Sequence, residues 1–388
     1  MFGGMRRPMT LILDGVTRRV ANETHIDDVS LTLAPGSFNV LLGRTLAGKT
    51  SLMRLMAGLD QPSRGRILIN GEDVTGKGVR QRNVAMVYQQ FINYPHQSVF
   101  DNIASPLKLA RVPKAELRRR VQEVAELLHI EGLLDRQPLE LSGGQQQRTA
   151  MARALVKDAE LVLFDEPLVN LDYKLREEFR EELRELFARR DCIAVYATTE
   201  PAEALALGGD TAILHEGRLV QHGPAATVYR EPVSLTAADM FSEPPMNVLE
   251  GEIRDGHVSF DGEPAFAVDA GMSRLEEGRY HFGVRPAHLA IAPQSDDDLA
   301  LDVCVELAEI SGSETFLHVG NARMSLVAHL EGVHGFQVDA PLRLYVPVHR
   351  LYVFDMQGRT VAVPAEVGAS MSRRAEHAPA SAIHREER

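Results

Sequence analysis

Cysteine is scarce in this sequence. Cys192 and Cys304 are the two among 388 residues, and they lie far apart. That excludes a disulfide framework and a zinc knuckle, and leaves two small hydrophobes in a reducing compartment. Long apolar runs are missing too: no stretch reaches the ~20 residues that cross a bilayer as a helix. Residues 1–14 carry Arg6 and Arg7 and then only a short apolar segment, too short for a secretory signal. The chain is therefore expected in the cytoplasm unless a membrane partner holds it. Basic charge is in deficit, with 42 Lys plus Arg against 54 Asp plus Glu and a net charge of −12. A general nucleic-acid binder needs a basic stripe to neutralise phosphates, so no nucleic-acid partner is expected.

What is present is an ordinary globular composition, 44% hydrophobic and 25% charged, in a chain long enough for two or three domains. The first half alternates strand-like and helix-like runs. Strand signals fall at 10–13, 37–42, 66–69, 84–88, 160–164 and 192–196. Helical spacing covers 49–59, 114–129 and 171–190. This alternation predicts an α/β core with a largely parallel sheet. Near residue 235 the texture changes, and Pro244-Pro245 marks a break. Short β-type runs follow (GHVSF, RYHFGV, LALDVCVELAEI, ETFLHVG, LRLYVPV), separated by turn residues, which predicts a small β-barrel. Residues 364–388 are rich in Ala, Ser, Glu and Arg without periodicity, and a disordered tail is expected there.

Three motifs carry chemistry. Gly43-Arg44-Thr45-Leu46-Ala47-Gly48-Lys49-Thr50 fits G-x-x-x-x-G-K-[ST] between a strand and a helix. Such a loop curls its backbone N–H groups around phosphate oxygens, and the helix N-terminus adds partial positive charge. Lys49 reaches the outer phosphates and the Thr50 hydroxyl ligates Mg²⁺. Leu161-Val162-Leu163-Phe164-Asp165-Glu166 is an apolar strand delivering two carboxylates to its C-terminal end, where ligands bind in open α/β sheets. Asp165 is expected to hold Mg²⁺ and Glu166 to polarise the attacking water. Leu141-Ser142-Gly143-Gly144-Gln145 places two glycines at the start of a helix expected over 145–156, a second anion-binding helix start.

With these three motifs in this order, the sequence resembles the ABC ATPases, whose LSGGQ signature it matches in full. The resemblance implies ATP and Mg²⁺ as ligands. It also implies a head-to-tail pairing of two ATPase domains, in which Leu141, Ser142, Gly143, Gly144 and Gln145 face the nucleotide held by the other. By the same resemblance Ser51 closes the phosphate loop. Gln89 stands at the Q-loop position that contacts Mg²⁺ and water, and Asn170-Leu171-Asp172 at the D-loop that crosses the dimer interface. The expected organisation is an ATPase domain over 9–234, with a helical subdomain at about 90–157, then an OB/TOBE-like β-barrel over 235–363. Phe282-Gly283-Val284-Arg285-Pro286 and Gly312-Ser313-Glu314-Thr315 resemble the regulatory barrel of sugar-type importer ATPases. A regulatory and a purely structural, dimerising role both stand for it.

The chain departs from the family pattern at three places. The switch histidine of T-H-D-x-x-E-A is replaced by Thr199 in Thr198-Thr199-Glu200-Pro201-Ala202-Glu203-Ala204. A neutral hydroxyl cannot replace an imidazole that contacts the outermost phosphate. Val20 aligns with the aromatic that stacks on adenine. Leu46 stands where glycine is usual in the phosphate loop. All three losses fall on the chain's own site, while the signature it offers a partner is intact. The segments 39–43, 46–54, 88–95 and 196–200 are similar to the ATPase subunits of the bacterial glycerol ABC importer, which uses two different ATPase chains. That likeness implies a heterodimer with a second, different ABC ATPase, two transmembrane permease subunits docking near 89–100, and a periplasmic solute-binding protein. The site would then be the cytoplasmic face of the inner membrane. Importers of sugars, other polyols or sn-glycerol 3-phosphate are alternatives, as is a non-transport ABC ATPase or an ATP-sensing module.

Overall fold

The computed structural model describes residues 9–169, 173–188, 190–260, 263–268 and 271–364. Among these, the chain forms two compact units that divide between Ala226 and Thr227. The expected D-loop, Asn170-Leu171-Asp172, and the expected tail past Pro364 lie outside the described residues.

The first unit opens with β1 (Leu11–Val20) and β2 (Glu23–Leu33), an antiparallel pair, followed by β3 (Phe38–Leu42) and α1 (Lys49–Ala57). Then come β4 (Arg64–Ile69), β5 (Glu72–Asp73), β6 (Val84–Val87), α2 (Val99–Leu109), α3 (Lys114–Leu127) and α4 (Gly143–Leu155). The unit continues with β7 (Leu161–Asp165), α5 (Tyr173–Ala188), β8 (Ile193–Thr198), α6 (Pro201–Leu207), β9 (Asp210–His215) and β10 (Arg218–Pro224). The main sheet runs β10-β9-β3-β8-β7-β6. Its five inner and far-edge strands are parallel, and β10 pairs antiparallel on the near edge. Parallel strands are buried on both faces and read as continuous apolar runs, which is why β7 and β8 are wholly buried. A smaller antiparallel sheet, β2-β1-β4-β5, packs its apolar face into the same core: Leu11, Ile26 and Leu33 meet Leu41, Leu52 and Leu163 there.

The sequence reading stops β1 at residue 13 and gives β2 no strand. The pairing explains the first; β2 alternates cleanly from Val29 to Leu33 and was legible. The β1–β2 and β1–β4 registers shift repeatedly between Leu13 and Arg19. Each bulge breaks the two-residue alternation on which a strand is recognised. Helix α2 is expected only as part of a helical region, because Pro106 sits in its interior. Its start is set by Ser98, whose hydroxyl accepts from the Asp101 N–H at 3.1 Å. Helices α2, α3 and α4 pack on one another and form the helical part of the unit.

The second unit is β-rich. The six-residue helices α7 (Ala225–Arg230, spanning the division) and α8 (Leu235–Met240) precede β11 (Asn247–Arg254), β12 (His257–Phe260), β13 (Glu263–Ala267) and β14 (Gly278–Val284). β15 (Leu299–Ser311), β16 (Glu314–Gly320), β17 (Ser325–Glu331), β18 (Pro341–Val346), β19 (Tyr352–Phe354) and β20 (Thr360–Ala362) follow. Two antiparallel sheets, β13-β12-β11-β14-β19-β20 and β17-β16-β15-β18, enclose one core around Phe282, Val303, Leu317, Leu344 and Val353. This is the OB/TOBE-like module. β11 is missing from the sequence reading although it alternates strictly, because Asn247 and Gly251 occupy two of its inward positions. Gly251 is required there: a Cβ would lie 2.8–2.9 Å from the rings of Phe260 and Phe282.

Candidate nucleotide site

The phosphate loop leaves β3 and enters α1, as its spacing requires. Two of its glycines are sterically fixed. A Cβ on Gly43 would lie 2.5 Å from the Leu214 carbonyl oxygen. Gly48 has φ +102°, and its Cβ would lie 2.9 Å from the carbonyl oxygen of His25. Leu46 also adopts a left-handed backbone, φ +69°, with its side chain 95% exposed. The loop therefore keeps the backbone course that glycine would take, at a cost in strain.

Lys49 is 5% exposed and folded back on the loop. Its Nζ donates to the carbonyls of Gly43 at 2.6 Å and Arg44 at 3.2 Å, and sits 3.1 Å from Glu166 Oε1. A buried ammonium needs such partners until a phosphate replaces them. Thr50 Oγ1 donates to Asp165 Oδ1 at 3.0 Å. Burial raises the Asp165 pKa above the ordinary carboxylate value; the Thr50 hydrogen bond opposes that rise, neighbouring Glu166 adds to it, and Lys49 opposes it. Gln89 Nε2 lies 3.4 Å from Glu166 Oε2. The hydroxyl of Thr50, the carboxylate of Asp165 and the amide oxygen of Gln89 are hard oxygen donors. They fit Mg²⁺, which takes a few protein oxygens and completes its octahedron with phosphate and water.

These residues border a cavity of about 680 Å³, lined among others by Thr45 to Ser51, Gln89 and Glu166. Gly43, Arg44, Asp165, Thr199 and Val20 are not among the residues that line it. Thr199 is half-buried just past β8, next to Thr198, whose carbonyl accepts the Gly43 N–H at 3.3 Å. The signature is built but borders no part of this cavity. Leu141 is buried, and Ser142 and Gly143 are exposed. Ser142 Oγ accepts from Gln145 N at 3.4 Å and Gln145 Oε1 accepts from Ser142 N at 3.1 Å. This capping box starts α4 two residues earlier than the sequence reading places it.

Sequence reasoning missed several residues here. Glu23, Thr24 and His25 of β2 line the cavity, as do Glu216 and Gly217 of the β9–β10 turn. The Glu-Gly pair between two apolar runs was a legible hairpin signal. Glu203 is buried, and its Oε2 accepts from Thr198 Oγ1 at 2.6 Å and Tyr196 OH at 3.1 Å. Burial raises its pKa despite those two donors. Outside the cavity, the loop after Gln89 is held by Asn102, which is fully buried and hydrogen-bonds the Tyr94 backbone, and by Asn93, which donates to the Gln146 carbonyl at 2.8 Å. Ile92 and Tyr94 of that loop remain substantially exposed.

A P-loop, an acidic strand end and a capped Ser-Gly-Gly helix start on a parallel sheet define the class: a Mg²⁺- and ATP-binding nucleoside triphosphatase. The ABC transporter family model matches residues 26–169. The chain is 36% identical over 348 residues to the sn-glycerol-3-phosphate import ATP-binding protein UgpC of Escherichia coli O157:H7, covering 89% of this chain and 97% of that protein. To UgpC of Chromohalobacter salexigens it is 37% identical, over 91% of this chain and 96% of the relative. To the Fe(3+) ions import ATP-binding protein FbpC of Vibrio cholerae it is 36% identical, over 77% and 85%. Among solved structures, a dimeric ATP-binding cassette bound to ADP and Pi superimposes with a TM-score of 0.51 at 26% identity, over 55% of this chain and 98% of that one. The chain belongs to the ABC transporter ATPases, and it is an importer-type ATP-hydrolysing subunit.

Proposed function

We propose that this chain is the energy-coupling subunit of a glycerol importer at the cytoplasmic face of the inner membrane, and that it pairs with a second, different ABC ATPase. The observation that carries this reading is Thr199, which stands beside the phosphate loop where the family places its switch histidine. In this reading the loop amides from Arg44 to Ser51 and Lys49 hold the phosphates. When phosphate takes over Lys49, the ammonium leaves Glu166, and that carboxylate is freed to accept a proton from the attacking water. Thr50, Asp165 and Gln89 would hold Mg²⁺, which would supply neutralising charge to the phosphates. Thr199 supplies no imidazole, so turnover at this site is slow, by roughly 10²–10³ if one oriented contact is lost. Ser142 to Gln145 keep an intact anion-binding helix start for the partner's nucleotide.

The exposed Ile92 and Tyr94, on the loop that follows Gln89 and is tied to α4 through Asn93, supply the apolar patch on which a permease subunit docks. Two permeases and a periplasmic solute-binding protein complete the importer. The domains run over 9–234, with the helical part at about 90–157, and 235–363. A second reading is favoured by the UgpC relatives: an sn-glycerol 3-phosphate importer whose two ATPase subunits are copies of this chain. Phosphate release by the purified chain, alone and with candidate partner subunits, separates the two. Brisk hydrolysis by the chain alone, with each copy active, removes the lopsided dimer. Uptake of labelled glycerol and labelled sn-glycerol 3-phosphate by cells with and without the gene decides the solute.

A further inference from the structure

Val20 stands where a base-stacking aromatic is expected, yet it is absent from the cavity wall. A nucleotide still needs a surface for its base. Beyond the phosphate-handling residues, the wall is made by Glu23, Thr24, His25, Leu46, Glu216 and Gly217. Of all the residues lining this cavity, His25 alone carries an aromatic ring. We propose that the His25 imidazole is the platform on which the base of the bound nucleotide stacks, displacing that function from the end of β1 to β2. The inference rests on the nucleotide reading of this cavity.

The position of His25 is set by its backbone. The His25 carbonyl oxygen lies 2.9 Å from where a Gly48 Cβ would be and 2.7 Å from where a Gly217 Cβ would be. Both neighbours are glycine, so β2 presses directly on the phosphate loop and on the β9–β10 turn. Two backbone bonds close the assembly: Asp27 N–H to the Gly217 carbonyl at 2.9 Å, and Gly217 N–H to the Ala47 carbonyl at 3.0 Å. The backbone that carries the ring thus keeps a fixed station relative to the loop that holds the phosphates, which sets the reach of a stacking platform. Half-buried, with Nε2 3.7 Å from Glu23 Oε2, it keeps a face for a ligand. Stacking on a ring is tolerant of base identity, because every base offers a π-face. The site is therefore expected to accept adenine and guanine nucleotides with similar affinity.

The chain contains no tryptophan, which makes a direct test available. In full-length His25→Trp the introduced indole is the only one, and its emission is expected to be quenched by MgATP and unchanged by Mg-tripolyphosphate, which has phosphates and no base. His25→Ala is expected to weaken MgATP about tenfold, equivalent to about 1.4 kcal/mol, with tripolyphosphate affinity unchanged. Equal loss of both ligands in His25→Ala would mean a structural role. A response from Val20→Trp but not His25→Trp, or a tenfold loss of MgATP from Leu46→Ala alone, would put the platform elsewhere. If the wild-type chain binds neither ligand, the nucleotide reading itself fails and the inference with it; binding of tripolyphosphate without any base effect refutes the inference alone.

Discussion

Leu46 offers the sharpest stability test, because its conformation and its burial point the same way. Its φ of +69° puts an L-residue in the left-handed region, which costs roughly 1–2 kcal/mol. Its side chain is 95% exposed, so removing it forfeits almost no burial. Leu46→Gly relieves the backbone strain. It also frees the unfolded chain, and that conformational entropy returns roughly 0.5–1 kcal/mol of destabilisation. Taken at mid-range, roughly 1.5 against 0.75 kcal/mol, the strain term is the larger and leaves a net gain of about 0.75 kcal/mol. The first unit ends at Ala226. At that size 1 kcal/mol moves a melting midpoint by about 2–4 °C, so Leu46→Gly is expected to raise the midpoint by about 1.5–3 °C in differential scanning calorimetry. Leu46→Ala is the control: it shortens the same exposed side chain while keeping a Cβ at positive φ, and no gain is expected. If the glycine variant melts no higher than the alanine variant, the strain account is wrong.

Two further outcomes follow from the site. Thr199→His returns an imidazole beside the phosphate loop, and phosphate release at this chain's own site is expected to rise at least tenfold; an unchanged rate would show that the switch position does not limit turnover. Glu203 carries a raised pKa, caused chiefly by burial. The folded chain then holds a proton that the unfolded chain has already released. Stability is therefore expected to fall as pH rises from the ordinary glutamate value through the raised one. Glu203→Gln still accepts from Thr198 and Tyr196 through its amide oxygen, so it is expected to flatten that fall in melting midpoint against pH, and a parallel shift of the whole curve would contradict the assignment.

Features whose geometry is local were legible along the chain. The phosphate loop needs glycines at set spacing between a strand and a helix, and Gly43 to Thr50 supply them without help from elsewhere. The signature helix carries its own cap in Ser142 and Gln145, and the apolar runs of β7 and β8 announce strands buried on both faces. Other features depended on packing between distant segments. The bulges in β1 scramble the alternation by which it would be recognised, and only pairing reveals its length, whereas Val29 to Leu33 of β2 alternate cleanly along the chain. Inward Asn247 and Gly251 make β11 look like a loop until the rings of Phe260 and Phe282 are seen to need the space. Alignment along the chain put Val20 at the base. The strand register put His25 in the wall, because two glycines far apart in sequence let β2 lie against the phosphate loop. Local spacing names the groups that touch phosphate; which side chain meets the rest of the nucleotide is decided by how β2, the loop and the β9–β10 turn close on one another.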